Sequence, residues 1–463
     1  MKSFQAIPGP KAWPLLGSLL DYTVFKTYDF TRLHETGLKK YQAFGPVVKE
    51  QIGTNPPILW IFDPQDMKTL YNIRDEYPAR TSHLALEKYR KDRPQLYSNG
   101  GLLPTNGEEW RRLRMPAQKP MLDGNLFDKE FISVIDKASL DFVESLKSQA
   151  VWNDILEELK KHFLEITTQV VLGTNLKSLE NDPEALKLIK AAMDTNSCIH
   201  KTDNFKLWKY YETKDYGIIR KSQEFMEYMA KKCISEKNNW QKNPSIFHAY
   251  SQDTRLSDHD RFTLVADFLL AGIDTSAYTM AFMLYELSKN TKLQMELLYQ
   301  TDKVEIDVKS MKNFKRNFPL VDGIIQENFR MHPISVGVGR TVRQKCQFSG
   351  YEIPAGTYVV TQNQVSSQLG AFCPYKPNEF CPYRFTKQDH QVLHPGLIRP
   401  FGFGARRCIG KKMAETSLRI LLIRLSQAFH MEYVGKHPES MNCVSNLINS
   451  PEFPISLKLT KRK

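Results

Sequence analysis

The sequence of 463 residues lacks the features of disulfide-stabilised, zinc-binding and modular proteins. Its seven cysteines are odd in number and include no Cys-x-x-Cys pair, which argues against a disulfide framework and against a zinc site. Cysteine usage of this kind is typical of a reducing compartment. The sequence also has no Gly/Ser-rich linker, internal repeat or low-complexity tract.

Apolar periodicity predicts a mainly α protein with a smaller β region. Helical patterns fill about 105–330 and 409–430, and strand-like segments occupy 47–62 and 337–362. The second strand region carries turn signals, with one at Gly350 and another formed by Pro354, Ala355 and Gly356.

One long run, 262–287, is apolar on nearly all sides and is too long for a strand. Asp274 lies at its middle, where a charge inside a bilayer is costly. We therefore interpret the run as a buried helix rather than a membrane span.

A glycine-rich loop near the C-terminus presents one cysteine among basic residues. Cys408 follows Arg406 and Arg407 and precedes a helical pattern that starts near Lys411. Positive charge and the free N–H groups of a helix N-terminus stabilise an anionic sulfur. A lone intracellular cysteine is more often a small buried residue, but this setting favours a metal-bound thiolate.

The same loop matches a known signature. Phe-x-x-Gly-x-Arg-x-Cys-x-Gly is filled at every fixed position, by Phe401, Gly404, Arg406, Cys408 and Gly410. The sequence therefore resembles the cytochrome P-450 monooxygenases. The resemblance implies a P-450 fold with haem b between the I and L helices, O2 as co-substrate, and the cysteine as axial ligand of the haem iron.

Three residues match the Glu-Arg-Arg triad of that family. Glu327 and Arg330 fit the Glu-x-x-Arg of the K helix, and Arg384 fits the meander arginine in a Pro-x-Arg-Phe context. The resemblance implies that the triad holds the proximal side together and helps haem incorporation. The i,i+3 pair alone is weak support, because such pairs are usually solvated salt bridges.

The stretch 271–276 resembles the oxygen-binding part of the I helix. Gly272 costs roughly 1 kcal/mol against alanine inside a helix, and Thr275 can hydrogen-bond a carbonyl of the preceding turn. The resemblance implies that Gly272 and Thr275 make room for O2, and that Asp274 and Thr275 pass protons. The alternative is that both are incidental polar residues of a core helix.

The two propionates of haem need cationic or hydrogen-bonding partners. Trp110 and Arg114 resemble the Trp-x-x-x-Arg of the family's C helix, and their i,i+4 spacing puts them on one helix face. By the same resemblance, Arg340 and Arg406 are the other expected partners of the propionates.

No membrane anchor is visible before the proline-rich stretch Ile7–Pro10. A spanning helix needs about 20 apolar residues, so residues 1–30 are interpreted as an N-terminal hinge segment. A processed mitochondrial chain, an engineered truncation and a naturally anchorless protein all fit, since no Arg-rich presequence is visible. Because all the motifs serve one cofactor, we predict a single domain over 1–463.

The stretches 102–114 and 411–415 resemble the mitochondrial clan of animal P-450 enzymes, which includes steroid, vitamin D and ecdysteroid hydroxylases. The resemblance implies a peripheral protein of the mitochondrial inner membrane. It also implies that electrons come from a small acidic ferredoxin with its NADPH-dependent reductase. A net charge of +13 suits such a donor or an anionic membrane.

The predicted donor-docking residues are Arg407, Lys411 and Lys412, which follow the haem-binding loop or belong to it. One departure weakens this prediction. Vertebrate mitochondrial members carry lysines just before Glu-x-x-Arg, whereas Asp322 and Gln326 occupy those places here.

The segments that the family uses to line its substrate pocket are mostly apolar or small here, which favours a lipophilic substrate such as a sterol. These segments are Tyr97–Leu103, Phe268, Ala271, Ser335–Val338 and Leu447–Asn449. The stretch 198–240 is predicted to be a substrate lid, a peripheral membrane contact or an ordinary amphipathic helix. Its large apolar residues among lysines are Phe205, Leu207, Trp208, Tyr210 and Tyr211.

Two other functions stay open at this stage. One is a microsomal-type monooxygenase of xenobiotics or fatty acids, located at the endoplasmic reticulum, truncated at its anchor and fed by a flavoprotein reductase. The other is a thiolate-haem isomerase or ligand sensor that needs no external electrons, although the pair Asp274 and Thr275 argues against it. No nucleic-acid partner is predicted.

Overall fold

The computed structural model describes residues 2–124, 130–204, 206–236, 243, 245–386, 393–436 and 439–462. Its α-helices are α1 (Leu19–Thr23), α2 (Leu33–Phe44), α3 (Pro64–Asn72), α4 (Leu84–Lys91), α5 (Gly107–Leu122), α6 (Ile132–Leu146), α7 (Ile155–Leu172), α8 (Pro183–Asn204), α9 (Lys214–Ser235), α10 (Ile246–Gln252), α11 (Asp258–Ala271), α12 (Asp274–Ser288), α13 (Thr291–Thr301), α14 (Val308–Met311), α15 (Phe314–Asn317), α16 (Pro319–Met331), α17 (Asn363–Ser366) and α18 (Lys411–Ala428). Its strands are β1 (Val47–Glu50), β2 (Ile58–Ile61), β3 (Val151–Trp152), β4 (Gly339–Thr341), β5 (Cys346–Phe348), β6 (Tyr351–Ile353), β7 (Tyr358–Thr361), β8 (Phe429–Tyr433), β9 (Cys443–Asn446), β10 (Ile448–Pro451) and β11 (Leu457–Lys461).

These elements agree with the predicted class, mainly α with a smaller β region. The predicted strand regions contain β1, β2 and β4 to β7, and Gly350 and Gly356 form turns with φ of 82° and 87°. The periodicity missed α1 to α4, which lie before residue 105, and it missed α17 and the strands β8 to β11. It also missed β3, which lies inside the region predicted to be helical.

Contacts group the chain into two compact units, each made of separate stretches. Unit 1 comprises Met1–Arg80, Gln326–Cys408 and Cys443–Ser450. Unit 2 comprises Thr81–Ile325, Ile409–Asn442 and Pro451–Lys463. The prediction of a single domain over 1–463 stays a prediction.

Unit 1 is built on a four-stranded sheet with the order β1-β2-β7-β4. β2 and β7 run parallel, and the other two pairs are antiparallel. Leu59 and Ile61 of β2 alternate onto one face, where they pack with Met67 and Leu70 of α3 in a buried cluster. The sheet fixes β4, the strand that carries Arg340.

Unit 2 is mostly helical, and α11 and α12 are almost fully buried in it. Ser257 and Asp260 form a capping box that starts α11. Within the described residues, Asp258–Ser288 is the one stretch long and apolar enough to cross a membrane, and 83% of its most apolar window is buried in the protein. That burial agrees with the predicted core helix.

The aromatic stretch between α8 and α9 divides into buried and exposed parts. Trp208 is only 4% exposed, and its indole N–H donates to the Thr202 carbonyl at 2.8 Å. Leu207, Tyr210 and Tyr211 are exposed. Phe205 and residues 237–240 lie outside the described residues.

Candidate functional site

The loop that ends in Cys408 is turned by two glycines. Gly402 and Gly404 have φ of 70° and 66°, a left-handed conformation that favours glycine. The Cys408 N–H donates to the Phe401 carbonyl at 2.8 Å, and the Arg407 N–H donates to the Gly404 carbonyl at 3.2 Å. These bonds close the loop and leave Cys408 exposed. Further along the chain, Gly410 is the N-cap of α18.

Aromatic contacts hold this loop within unit 1. The Phe401 ring packs edge-on against Phe329, with ring centres 5.4 Å apart. The ring centres of Phe403 and Tyr71 are 4.4 Å apart. The Arg340 guanidinium lies 4.7 Å from the Phe403 ring centre. The cysteine is thus presented by a loop with a packed aromatic base.

Two arginines of unit 1, one of them in this loop, donate hydrogen bonds to backbone carbonyls. Arg340 donates to the Phe403 carbonyl at 3.2 Å, and Arg406 donates to the Pro78 carbonyl at 2.9 Å. Both side chains belong to buried residues. Arg340 is therefore tied to the backbone of the Cys408 loop, and Arg406, which belongs to that loop, is tied to the backbone at Pro78.

Arg80 is a site residue that the sequence did not reveal. Burial lowers the pKa of Arg80, and the charge of Cys408 acts in the opposite direction. Burial, followed by the charge of Arg80, lowers the pKa of Arg340 to about 10. Two cations held close together in a partly dry place are stabilised by an anion. An anionic cofactor such as haem, with its two propionates, fits this pair.

The structure brings the predicted triad together inside unit 1. Glu327 accepts two bonds from Arg330, at 2.7 and 2.9 Å, and a bond from Arg384 Nε at 3.1 Å. All three side chains have zero exposure. The i,i+3 pair is thus a fully buried network and not the solvated salt bridge that its spacing alone suggests.

The long buried helix of unit 2 is interrupted beside Gly272. α11 ends at Ala271, α12 begins at Asp274, and the Thr275 hydroxyl donates back to the Ala271 carbonyl at 3.2 Å. A Cβ on Gly272 would lie 2.5 Å from the hydroxyl of Thr167 on α7. Glycine is therefore required here by the close approach of α7, a packing reason that the sequence did not show.

Asp274 is a buried acid at the start of α12, only 2% exposed. Its Oδ2 accepts a bond from Asn196 Nδ2 at 3.1 Å, while Oδ1 has no hydrogen-bond partner within the described part of the chain. Burial raises the pKa of Asp274 to about 6, although the Asn196 bond and the charge of Lys160 favour the ionised form. The sequence predicted neither Asn196 nor Lys160.

The remaining predicted residues of unit 2 lie on two helices. Trp110 and Arg114 of α5 are 2% and 5% exposed, and Arg114 Nε also donates to Gln118 at 3.2 Å. On α18, Lys411 lies 3.8 Å from Glu415, and Lys412 donates to the Gly124 carbonyl at 3.1 Å. Arg407, the third predicted docking residue, is exposed in unit 1.

Asp322 does not present a free negative charge, in spite of its place before the Glu-x-x-Arg motif. It is 5% exposed and accepts a bond from Arg419 of α18 at 3.3 Å. Lys315 lies 3.7 Å away on its other side. Two cations therefore neutralise Asp322, one of the two residues that stand where vertebrate mitochondrial members carry lysines.

The chain is mostly helical and has a cysteine on a glycine-turned loop, a buried Glu-Arg-Arg network and an interrupted core helix. This combination is typical of a haem-thiolate enzyme. The sequence profile of the cytochrome P-450 family matches residues 7–459. The chain belongs to this family, and the predicted fold, haem cofactor and monooxygenase class are confirmed.

The chain is similar along nearly its whole length to relatives in animals. It is 37% identical to the mitochondrial cytochrome P-450 302a1 of Drosophila melanogaster, over 100% of this chain and 96% of that protein. It is 26% identical to the ecdysone 20-monooxygenase of the same species, over 98% and 88% of the two chains. It is also 26% identical to the mitochondrial cholesterol side-chain cleavage enzyme of Oncorhynchus mykiss, over 100% and 91%.

Proposed function

We propose that this chain is a mitochondrial monooxygenase that inserts one oxygen atom of O2 into a sterol or steroid, using two electrons from a ferredoxin. The observation that carries the proposal is the similarity along the whole chain to relatives whose names include mitochondrial, ecdysone and cholesterol. The neutralised Asp322 is compatible with the ferredoxin part, because an acidic partner would not meet a free negative charge at that residue.

Bound haem would supply the activation of O2, and the protein residues would hold it and control its protons. In unit 1, Cys408 would bind the haem iron, and Arg340 and Arg406, with Arg80, would bind propionates. In unit 2, Trp110 and Arg114 have the same proposed task. Phe401, Gly404 and Gly410 shape the loop that presents the sulfur.

Proton transfer is the proposed task of Asp274 and Thr275. A buried carboxyl with a pKa near 6 is divided between its protonated and ionised forms close to neutral pH. It can therefore receive a proton from water and pass it on by way of ordered water and the hydroxyl of Thr275. Beside the break at Gly272, the Thr275 hydroxyl bonds to the carbonyl of Ala271 in the preceding turn.

The test of this function is a panel of sterols, steroids and fatty acids, read by the shift of the haem spectrum, followed by turnover with each electron donor. We expect a sterol or steroid to bind and to be hydroxylated with ferredoxin and its reductase, but not with a flavoprotein reductase. Turnover of fatty acids with the flavoprotein alone would favour the microsomal alternative. Conversion without any reductant would favour the isomerase.

Charge reversal at Lys411 and Lys412 is expected to slow reduction by the ferredoxin by roughly tenfold or more at low salt. The reason is that basic side chains of α18 steer and hold an acidic donor, and added salt should slow the parent protein in the same way. Stopped-flow reduction measures the effect. Charge reversal at Lys187 and Lys190, which are exposed on α8, is the matched control. Equal rates in both double variants would remove this docking surface.

Peripheral contact with an anionic membrane is proposed for the stretch between α8 and α9. Leu207, Tyr210 and Tyr211 are 54%, 86% and 58% exposed, and Lys209 is exposed among them. Exposed aromatic and aliphatic residues beside lysines are typical of membrane-surface segments. Serine at Leu207 and Tyr210 should weaken co-sedimentation with anionic vesicles several-fold, while the Lys187 and Lys190 variant reports the effect of charge alone.

A further inference from the structure

We propose that Asn196 is a positioning residue for proton delivery, which holds one oxygen of the Asp274 carboxyl so that the other oxygen carries the proton. The inference rests on the proposed role of Asp274. It adds a residue of a different helix, α8, to the catalytic arrangement.

The hydrogen bond itself gives the direction. The Asn196 amide N–H donates to Asp274 Oδ2 at 3.1 Å, and an amide NH2 group cannot accept a proton. The carboxyl proton therefore resides on Oδ1, the buried oxygen that has no hydrogen-bond partner within the described residues. Asn196 thus determines which carboxyl oxygen of Asp274 exchanges protons and in which direction that oxygen points.

Other groups near Asp274 set its charge but not its orientation. Lys160 of α7 is buried and is paired with Glu157 at 2.8 Å, while Glu157 itself is largely exposed. Lys160 favours the ionised carboxyl and Glu157 opposes it. Burial and then the charge of Asp274 raise the pKa of Tyr278, which lies one turn along α12. Asn196 is the residue whose hydrogen bond reaches a carboxyl oxygen of Asp274.

The helix that carries Asn196 is held in place by its neighbours. The buried Thr195 bonds to the Ala191 carbonyl at 2.8 Å and accepts a bond from Gln223 of α9 at 3.2 Å. Loss of the Asn196 amide should therefore leave α8 where it is. This makes the bond to Asp274 testable apart from folding.

The experiment compares Asn196→Leu with Asn204→Leu, which makes the same change at an exposed position at the end of α8. Asn196→Leu removes a bond that favours the ionised carboxyl, so the pH at which Asp274 titrates should rise by roughly one pH unit. Two readouts follow that pH in the haem-loaded protein. They are the infrared C=O band of the protonated carboxyl, assigned by its loss in Asp274→Asn, and the fraction of electrons lost to hydrogen peroxide.

We expect Asn196→Leu to move both readouts to higher pH and to increase the peroxide fraction several-fold near neutral pH, whereas Asn204→Leu should match the parent. An Asn196→Leu protein with the parent's infrared titration and peroxide fraction would overturn the positioning role. If Asp274→Asn itself keeps the parent's peroxide fraction, the proposed proton relay fails. The infrared titration would then still report whether Asn196 controls the carboxyl.

Discussion

A Glu327→Gln protein is expected to lose most of its bound haem and about 3 kcal/mol or more of its stability. The carboxylate of Glu327 pairs with the guanidinium groups of both Arg330 and Arg384, and all three side chains have zero exposure. Glutamine keeps the shape but removes the charge. Two buried cations are then left without their counter-ion, and this is far more costly than the loss of a surface pair.

We expect the loss of the Glu327 charge to disturb the backbone that precedes Cys408. Arg330 also donates to the carbonyls of Ser367, Pro377 and Glu379, and Arg384 donates to those of Tyr375 and Lys376. The triad therefore pins the backbone over 367–379 from within the core. When the arginines move to find water, these carbonyls lose their donors as well, and the structure that presents the haem-binding loop loosens.

The measurements are the ratio of haem to protein after purification and the temperature of unfolding. The matched control is Glu379→Gln, which breaks the pair of Glu379 with Lys376 at 2.6 Å, where the Glu379 side chain is 63% exposed. An exposed pair contributes about 0 to 1 kcal/mol, so this variant should keep its haem. If Glu327→Gln behaved like the control, the triad would have no structural role.

The site residues that the sequence predicts belong to patterns that are local in the chain. The loop around Cys408 and the pair Glu327 and Arg330 have fixed short spacings, so a single stretch reveals them. Asn196 and Asp274 are 78 residues apart. Which residue of α8 meets that carboxyl depends on how the two helices cross, and no spacing rule of a single helix contains this information.

Arg80 shows the same limit for charged residues. It follows β2 and α3 in unit 1, and no motif of its own distinguishes it from a surface arginine. Arg80 matters because its charge adds to burial in lowering the pKa of Arg340, and because the charge of Cys408 opposes the effect of burial on the pKa of Arg80 itself. Arg340 and Cys408 both lie more than two hundred residues later in the sequence. The sequence could place the cysteine, but not every cation that the fold brings to it.

For the secondary structure, the sequence predicts the long apolar helix but not every short strand. The run that became α11 and α12 is long enough for its burial to be inferred from apolarity. In contrast, β11 has five residues, and it pairs with β8 and with the two-residue strand β3 near Trp152. Strands this short gain stability only from their remote partners, so periodicity alone did not identify them.

A Cys408→Ser protein is expected to lose the thiolate-type absorption of the reduced carbon monoxide complex and at least about 99% of turnover. Loss of groups that merely support a metal ligand costs 10-fold to 100-fold, so loss of the ligand itself should cost at least as much. Serine cannot replace the thiolate, because a hydroxyl stays protonated near neutral pH and is a poor electron donor to iron.

The control for this change is Cys346→Ser, in the same unit. Burial raises the pKa of Cys346 to about 11, and it raises the pKa of Cys198 to about 11 as well. These thiols stay protonated and are unsuited to bind iron, whereas Cys408 is exposed on a loop near Arg80 and Arg340. If Cys408→Ser kept the thiolate-type spectrum, another cysteine would have to be the ligand. Cys381, half-buried and close in sequence to Arg384, would then be the next to replace.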